Sequence, residues 1–130
     1  MIPFNIQLKP GISIYEQIIY AVKKAIVLGQ LTAGDKFPSI RVLSQELHIN
    51  PNTVQKAIRK LVDDKILEVR PGIGSMVAVA KKATQEQRKE ILDVEVERLV
   101  VEIKRLRLSE KDVMRAIESH WKRLSKEDDT

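Results

Sequence analysis

The apolar positions begin with a period of two. Ile2, Phe4, Ile6 and Leu8 alternate with Pro3, Asn5 and Gln7, the pattern of a short strand with one buried face. Pro10 and Gly11 close it. Ser13 then stands three places before Glu16, a capping-box spacing. Tyr15, Ile18, Ile19, Val22 and Ile26 follow at helical intervals, and Gly29 suits a C-terminal stop, so a helix is expected over about residues 14–28. The stretch LTAGDKFP is a turn-rich connector. Ser39 can cap a short second helix to Leu47, with Ile40, Leu43 and Leu47 inward.

The break HINPN comes next. His48, Ile49 and Asn50 form a tight turn, Asn50 is a favoured cap, and Pro51 suits a first helical position because its missing N–H would be unpaired there anyway. A third helix is expected to about Asp64. At about 100° per residue, Val54, Ala57, Ile58 and Leu61 share one side, and Asn52, Gln55, Lys56 and Arg59 lie roughly opposite. ILEVR (66–70) and SMVAVA (75–80) read as two strands around the turn PGIG (71–74). Thr84 with Gln87 is a second capping box, opening a long helix to about Leu106. Ser109 with Asp112 opens a last helix to about Leu124, and KEDDT (126–130) reads as a frayed polar end.

Composition sharpens this into two parts. The 130 residues are 43% apolar and 32% charged, within the range of a folded soluble protein. Residues 1–80 hold 10 Lys+Arg and 6 Asp+Glu, a net +4, whereas residues 81–130 hold 13 and 12, a net +1. The sparse, positive first part favours an anionic partner, and a boundary is expected at Ala80. No cysteine is present, which excludes disulfides and thiolate metal sites. MIPFNIQLKP lacks the charged-then-apolar layout of a signal peptide. No apolar run approaches the roughly 18 residues that span a bilayer. A cytoplasmic protein without membrane contact is expected.

Catalytic signatures are missing. His48 and His120 fall in different parts, neither with a His-x-x-x-His or Glu-x-x-His partner. PGIG joins two strands instead of opening a helix, so it is no phosphate loop. No enzyme, metal or cofactor is expected. Helix, tight turn, helix is instead the arrangement that sends its second helix into the major groove, N-terminal end first. Amides pair bidentately with adenine, and Arg or Lys with guanine. Asn52, Gln55, Lys56 and Arg59 supply both types, Thr53 has a hydroxyl for phosphate and a methyl for thymine, and Arg41 is placed to hold the DNA backbone. A hairpin directly after makes the winged form, with Arg70 flanking the turn and Gly72 and Gly74 allowing close approach to a narrow groove. Two other classes share these features: a nonspecific architectural DNA binder, and an adaptor whose winged helix contacts protein.

The run LGQL, FPSIRVLSQEL, INPNTVQKAI and ILEVRPGIGSMV resembles the GntR family of bacterial transcription regulators over about residues 12–79. NPNTV (50–54), with a two-helix tail of about fifty residues, is most similar to the YtrA-type subfamily. The resemblance implies a sequence-specific regulator, a repressor, that binds an inverted-repeat operator in double-stranded DNA as a homodimer. By position it puts DNA contacts on Ser39, Arg41, Asn52, Thr53, Gln55, Lys56 and Gly72, with Arg70 nearby. Pro51 stands where other branches carry a contacting Arg or Ser.

The tail carries its own pattern. Leu92, Val96, Leu99, Ile103 and Leu106 step by 4, 3, 4 and 3, an a/d seam, and the last helix adds Val113, Ile117 and Trp121. Two short helices cannot bury this surface alone. Docking within the chain is one solution; a two-fold dimer is the one that matches palindromic half-sites. Such a tail is too short to enclose a metabolite in the usual way, so an effector is unassigned. The expected fold is mainly α with a small β wing: a winged helix-turn-helix DNA-binding domain (1–80) and a C-terminal two-helix dimerisation segment (81–130).

Overall fold

The computed structural model describes residues 2–125; the expected frayed end at 126–130 lies outside the described residues. The described chain divides into two units at Ala80. The first unit is built on α1 (Ile14–Val27), α2 (Ile40–Leu47), α3 (Pro51–Asp63), β1 (Leu67–Arg70) and β2 (Gly74–Val77). Each helix starts where its sequence signal stands. The Ser13 hydroxyl accepts from the Glu16 N–H, Ser39 from Val42, and the Asn50 side chain from Asn52 at 2.8 Å.

The helix ends share one device. The residue after the last turn is left-handed, and its own N–H and the next one return to carbonyls of the final turn. After α1 this is Gly29 (φ 80°), with Gln30 N–H on Ala25 O at 2.9 Å. After α2 and α3 it is His48 (φ 54°) and Lys65 (φ 62°), where Ile49 N–H reaches Ser44 O and Ile66 N–H reaches Leu61 O. Only Gly29 is a stop signal in the sequence. The other two side chains tolerate a disfavoured conformation because the buried apolar residue beyond each, Ile49 and Leu67, anchors the exit.

The core lies where α1 and α2 meet α3. Ile18, Val22, Leu31, Leu43, Val54, Leu61 and Leu67 are fully buried. Ala57, also fully buried, is small enough to let the helices approach. β1 and β2 pair antiparallel, Leu67 with Val77 and Arg70 with Gly74. A third edge was not legible in the sequence. Residues 34–37 line β2 on its other side, with Phe37 N–H on Ser75 O at 2.8 Å and Val77 N–H on Asp35 O at 2.9 Å. This ties the base of the wing to the residues leading into α2.

Two strand expectations need correction. Residues 2–8 are not a strand among the described residues; they form an irregular segment. Their alternation is real, since Phe4 is buried and Ile2 and Ile6 are half-buried, but Leu8 is exposed. Alternation reports which side meets the core, not whether the backbone has a neighbour. Phe4 stacks on Phe37 at 5.9 Å between centroids, and the Gln17 amide bonds both N–H and C=O of Lys9. The second strand stops at Val77 instead of Ala80. Beyond the Ala78 N–H bond to Ile66 O, the opposing residues belong to the end of α3 and offer no further ladder.

The second unit holds α4 (Gln85–Lys89), a π-helical stretch (Glu90–Glu95), α5 (Val96–Arg105) and α6 (Glu110–Arg123). Thr84 and Gln87 form the full capping box. The long helix expected here is present over residues 85–105, with a π-helical stretch inside it. An i→i+5 turn holds more residues than an α turn, so Leu92 and Val96 do not keep the phase that an even 4–3 seam requires. Arg107 (φ 60°) ends α5 with the same left-handed device. Leu92, Leu99, Ile117 and Trp121 are exposed, Trp121 at 76%. Among the described residues no helix is long and apolar enough to cross a membrane.

The Phe4 contact gives a first test. Phe4→Ala should lower unfolding free energy by about 3 kcal/mol in a urea titration. A change below about 0.5 kcal/mol would mean that the N-terminal segment is not part of the core.

Candidate nucleic-acid interface

The candidate surface is built by one helix that is buried on one side only. Val54, Ala57, Ile58 and Leu61 hold α3 against the core, which fixes its rotation. Asn52, Gln55, Lys56 and Arg59 then face outward and are exposed, while Thr53 is half-buried. Asn50 accepts the Asn52 N–H and Pro51 removes one donor. The free N–H groups of this turn and the helix dipole still favour an anion.

Arg41 is exposed in the first turn of α2. The Ser39 hydroxyl is occupied as an acceptor from Val42 N–H at 3.2 Å, but its own proton remains available to a phosphate. The wing turn carries Gly72 (φ 78°) and Gly74 (φ 106°), both exposed. A side chain at either position is strained by the backbone alone. Ile73 between them is exposed, as is Val69 on β1.

Three cations are not free in the way the sequence suggests. Arg70 Nε and Nη2 donate to Glu68 Oε1 at 3.1 and 2.8 Å, so the wing's guanidinium has a carboxylate partner. The two residues are two apart on a strand and share a face, a signal that period-two spacing offered. Lys60 Nζ donates to Asp64 at 3.2 Å. That hydrogen bond, reinforced by the Asp64 charge, raises the Lys60 ammonium above its ordinary value. Lys56 Nζ lies 5.0 Å from the centre of the Tyr15 ring on α1. No spacing rule pointed to Tyr15, because the contact crosses between helices far apart in sequence.

The unit thus brings Asn52, Thr53, Gln55, Lys56 and Arg59 together on α3, with Ser39 and Arg41 on the adjoining helix. Arg70 and Gly72 belong to the hairpin that follows. Among the described residues there is no group of three or more His, Asp or Glu placed to hold a metal ion. A half-exposed helix with amides and cations at its capped N-terminal end, followed by a two-stranded hairpin, defines a winged helix-turn-helix DNA-binding domain.

Comparison with known proteins agrees with this class. The profile of the bacterial regulatory proteins, gntR family, matches residues 14–77. The HTH-type transcriptional repressor YtrA of Bacillus subtilis (strain 168) is 41% identical over 81 residues, 61% of this chain and 62% of that protein. The solved structure of YtrA from Sulfolobus acidocaldarius, a GntR-family transcription factor, has a TM-score of 0.61 at 32% identity and covers 75% of this chain and 96% of that one. The fold alone is shared with a transcriptional antiterminator from Listeria monocytogenes EGD-e, with a TM-score of 0.83 at 24% identity over 93% of this chain and 91% of that one. The chain belongs to the GntR family.

The cap that starts α3 is open to a direct test. Asn50→Ala should cost about 1 kcal/mol of stability in denaturant unfolding. Asn50→Asp should keep most of that stability, because it retains the accepting oxygen.

Proposed function

We propose that this chain acts in the cytoplasm as a homodimeric repressor that binds an inverted-repeat operator in a sequence-specific way. It acts by binding and carries out no catalysis. The observation that carries the reading is the outward face of α3. Asn52 and Gln55 are exposed amides at the N-terminal end of a helix whose other side is fully buried. Amides there have little structural use, and two donors and one acceptor each to offer a base edge. Ser39, Arg41, Thr53, Lys56, Arg59 and Arg70 add contacts to phosphate and to neighbouring bases, and Gly72 brings the wing backbone close to the groove. Repression is carried over from the Bacillus relative.

The dimer reading rests on the second unit. Leu92, Val96, Leu99, Leu106, Ile117 and Trp121 are all exposed, Leu99 at 50%, with Ile103 and Val113 half-buried beside them. Apolar exposure on this scale marks an interaction surface. A second copy is the simplest occupant, and its two-fold axis presents two α3 helices to half-sites roughly 10 bp apart.

The test is fluorescence anisotropy with a labelled duplex from upstream of the gene, against a scrambled duplex, at several salt concentrations. Binding confined to the upstream duplex and weakening with salt is the expected result. Equal binding to both would show a nonspecific architectural protein. No binding at low salt would favour a protein-binding adaptor.

Two sets of variants separate the roles. Arg41→Ala should weaken binding to every duplex by about three- to tenfold and reduce the salt slope by about one. Gln55→Ala should instead reduce discrimination at one base-pair position by about 1–3 kcal/mol; equal losses on both duplexes would remove Gln55 from base reading. Leu99→Asp should raise the dimer dissociation constant by about a hundredfold or more, read by light scattering, with helical content unchanged. A variant that stays dimeric would place the interface elsewhere.

A further inference from the structure

Lys56 differs from its neighbour on α3 in what holds it. Lys60, one turn on, donates to Asp64, so its charge is cancelled locally. Lys56 is held by a ring instead, its ammonium 5.0 Å from the centre of Tyr15. An aromatic face attracts a cation through its quadrupole and leaves the net charge in place. A carboxylate at the same position would remove the charge that DNA attracts.

Tyr15 is firmly anchored. It stands in the first turn of α1, half-buried and packed against the core. The same turn is tied down by Gln17, whose amide bonds Lys9 and the Ile12 carbonyl. Lys56 itself is exposed. A lysine free in solvent loses most of its rotamer freedom when it meets an anion. One that already rests on a fixed ring has lost part of that freedom beforehand. The contact also directs the ammonium toward α1, the helix that carries Tyr15.

We infer that Tyr15, which lies outside the helix-turn-helix, is a positioning residue for DNA binding: its ring holds Lys56 extended and fully charged at the flank of α3 for a backbone phosphate. The inference rests on the operator-binding reading above. It assigns Lys56 to a phosphate contact in preference to a base, and it gives the first turn of α1 a part in affinity.

The experiment is a double-mutant cycle on the full chain, measured by anisotropy on the upstream and scrambled duplexes across a salt series. Tyr15→Leu should weaken both duplexes alike by about two- to fivefold, the effect of restoring part of the ordering cost of a rotamer-rich side chain. Tyr15→Phe should bind as the unaltered protein does, because the ring is kept. Lys56→Ala should lower the salt slope by about one, and Tyr15→Leu should have no further effect in that background. An equal loss from Tyr15→Leu in both backgrounds overturns the inference. So does a loss confined to the upstream duplex, or a Tyr15→Phe variant as weak as Tyr15→Leu. If the unaltered protein binds no duplex, the operator-binding reading falls and takes this one with it; binding with additive losses overturns this one alone. Proton–carbon NMR of the unaltered protein reads the contact directly, even if Tyr15→Leu fails to fold. The Lys56 ε-methylene protons, identified by their absence in Lys56→Ala, should be shifted upfield by the ring. Unshifted protons overturn the inference.

Discussion

Leu43, Val54, Ala57 and Leu61 are removed completely from water, and what α3 shows to the outside depends on that burial. A helix turns about 100° per residue, so any other rotation would place Gln55 or Lys56 in an apolar core. The penalty for burying an amide or ammonium without partners exceeds any gain from a different packing. The outward face is therefore defined by elimination. The left-handed His48 and the Asn50 cap then set where the face begins. Residues 34–37, paired along β2, bring the wing to the same assembly through backbone bonds.

The charge on this surface is more selective than its total. Glu68 and Asp64 neutralise Arg70 and Lys60 through exposed pairs. Exposed pairs are worth about 0–1 kcal/mol, so a phosphate can displace Glu68 from Arg70 at small cost. Arg41, Lys56 and Arg59 have no carboxylate partner among the described residues. On this surface the wing's arginine is thus paired with a carboxylate, whereas neither of these ion pairs involves Arg41, Lys56 or Arg59 of the two helices. The wing tip is instead glycine and isoleucine, suited to close apolar contact more than to steering.

The second unit obeys a different constraint. Its polar residues pair locally along the helices, Arg98 with Glu95, Arg105 with Glu102 and Lys122 with Glu118. Its apolar residues have no such local solution. Leu92, Val96 and Leu99 are left outside, and the π-helical stretch between Glu90 and Glu95 rotates Leu92 out of the even seam. A coiled-coil partner that continued unchanged through this stretch would meet a face that shifts midway.

Local signals carried far along this chain. Caps at Ser13, Ser39, Asn50, Thr84 and Ser109 are side-chain chemistry acting over two or three residues, and all five are present as hydrogen bonds. The helical periods of α1 to α3 were legible because each helix has one buried face, and the same periods named the exposed residues of α3. What lay beyond the sequence was whatever depends on partners distant along the chain. Residues 2–8 alternate like a strand, but only the packed structure shows that Phe37 and Gln17 meet them in place of a neighbouring strand. The left-handed His48 and Lys65 lack a glycine signal, because burial of the following apolar residues stabilises those turns. Tyr15 beneath Lys56 and the 34–37 edge of β2 join segments tens of residues apart, and no short-range rule reaches that distance. Periodicity and capping determined the elements and the face that looks outward; only tertiary packing decided which cations on that face are held, and by what.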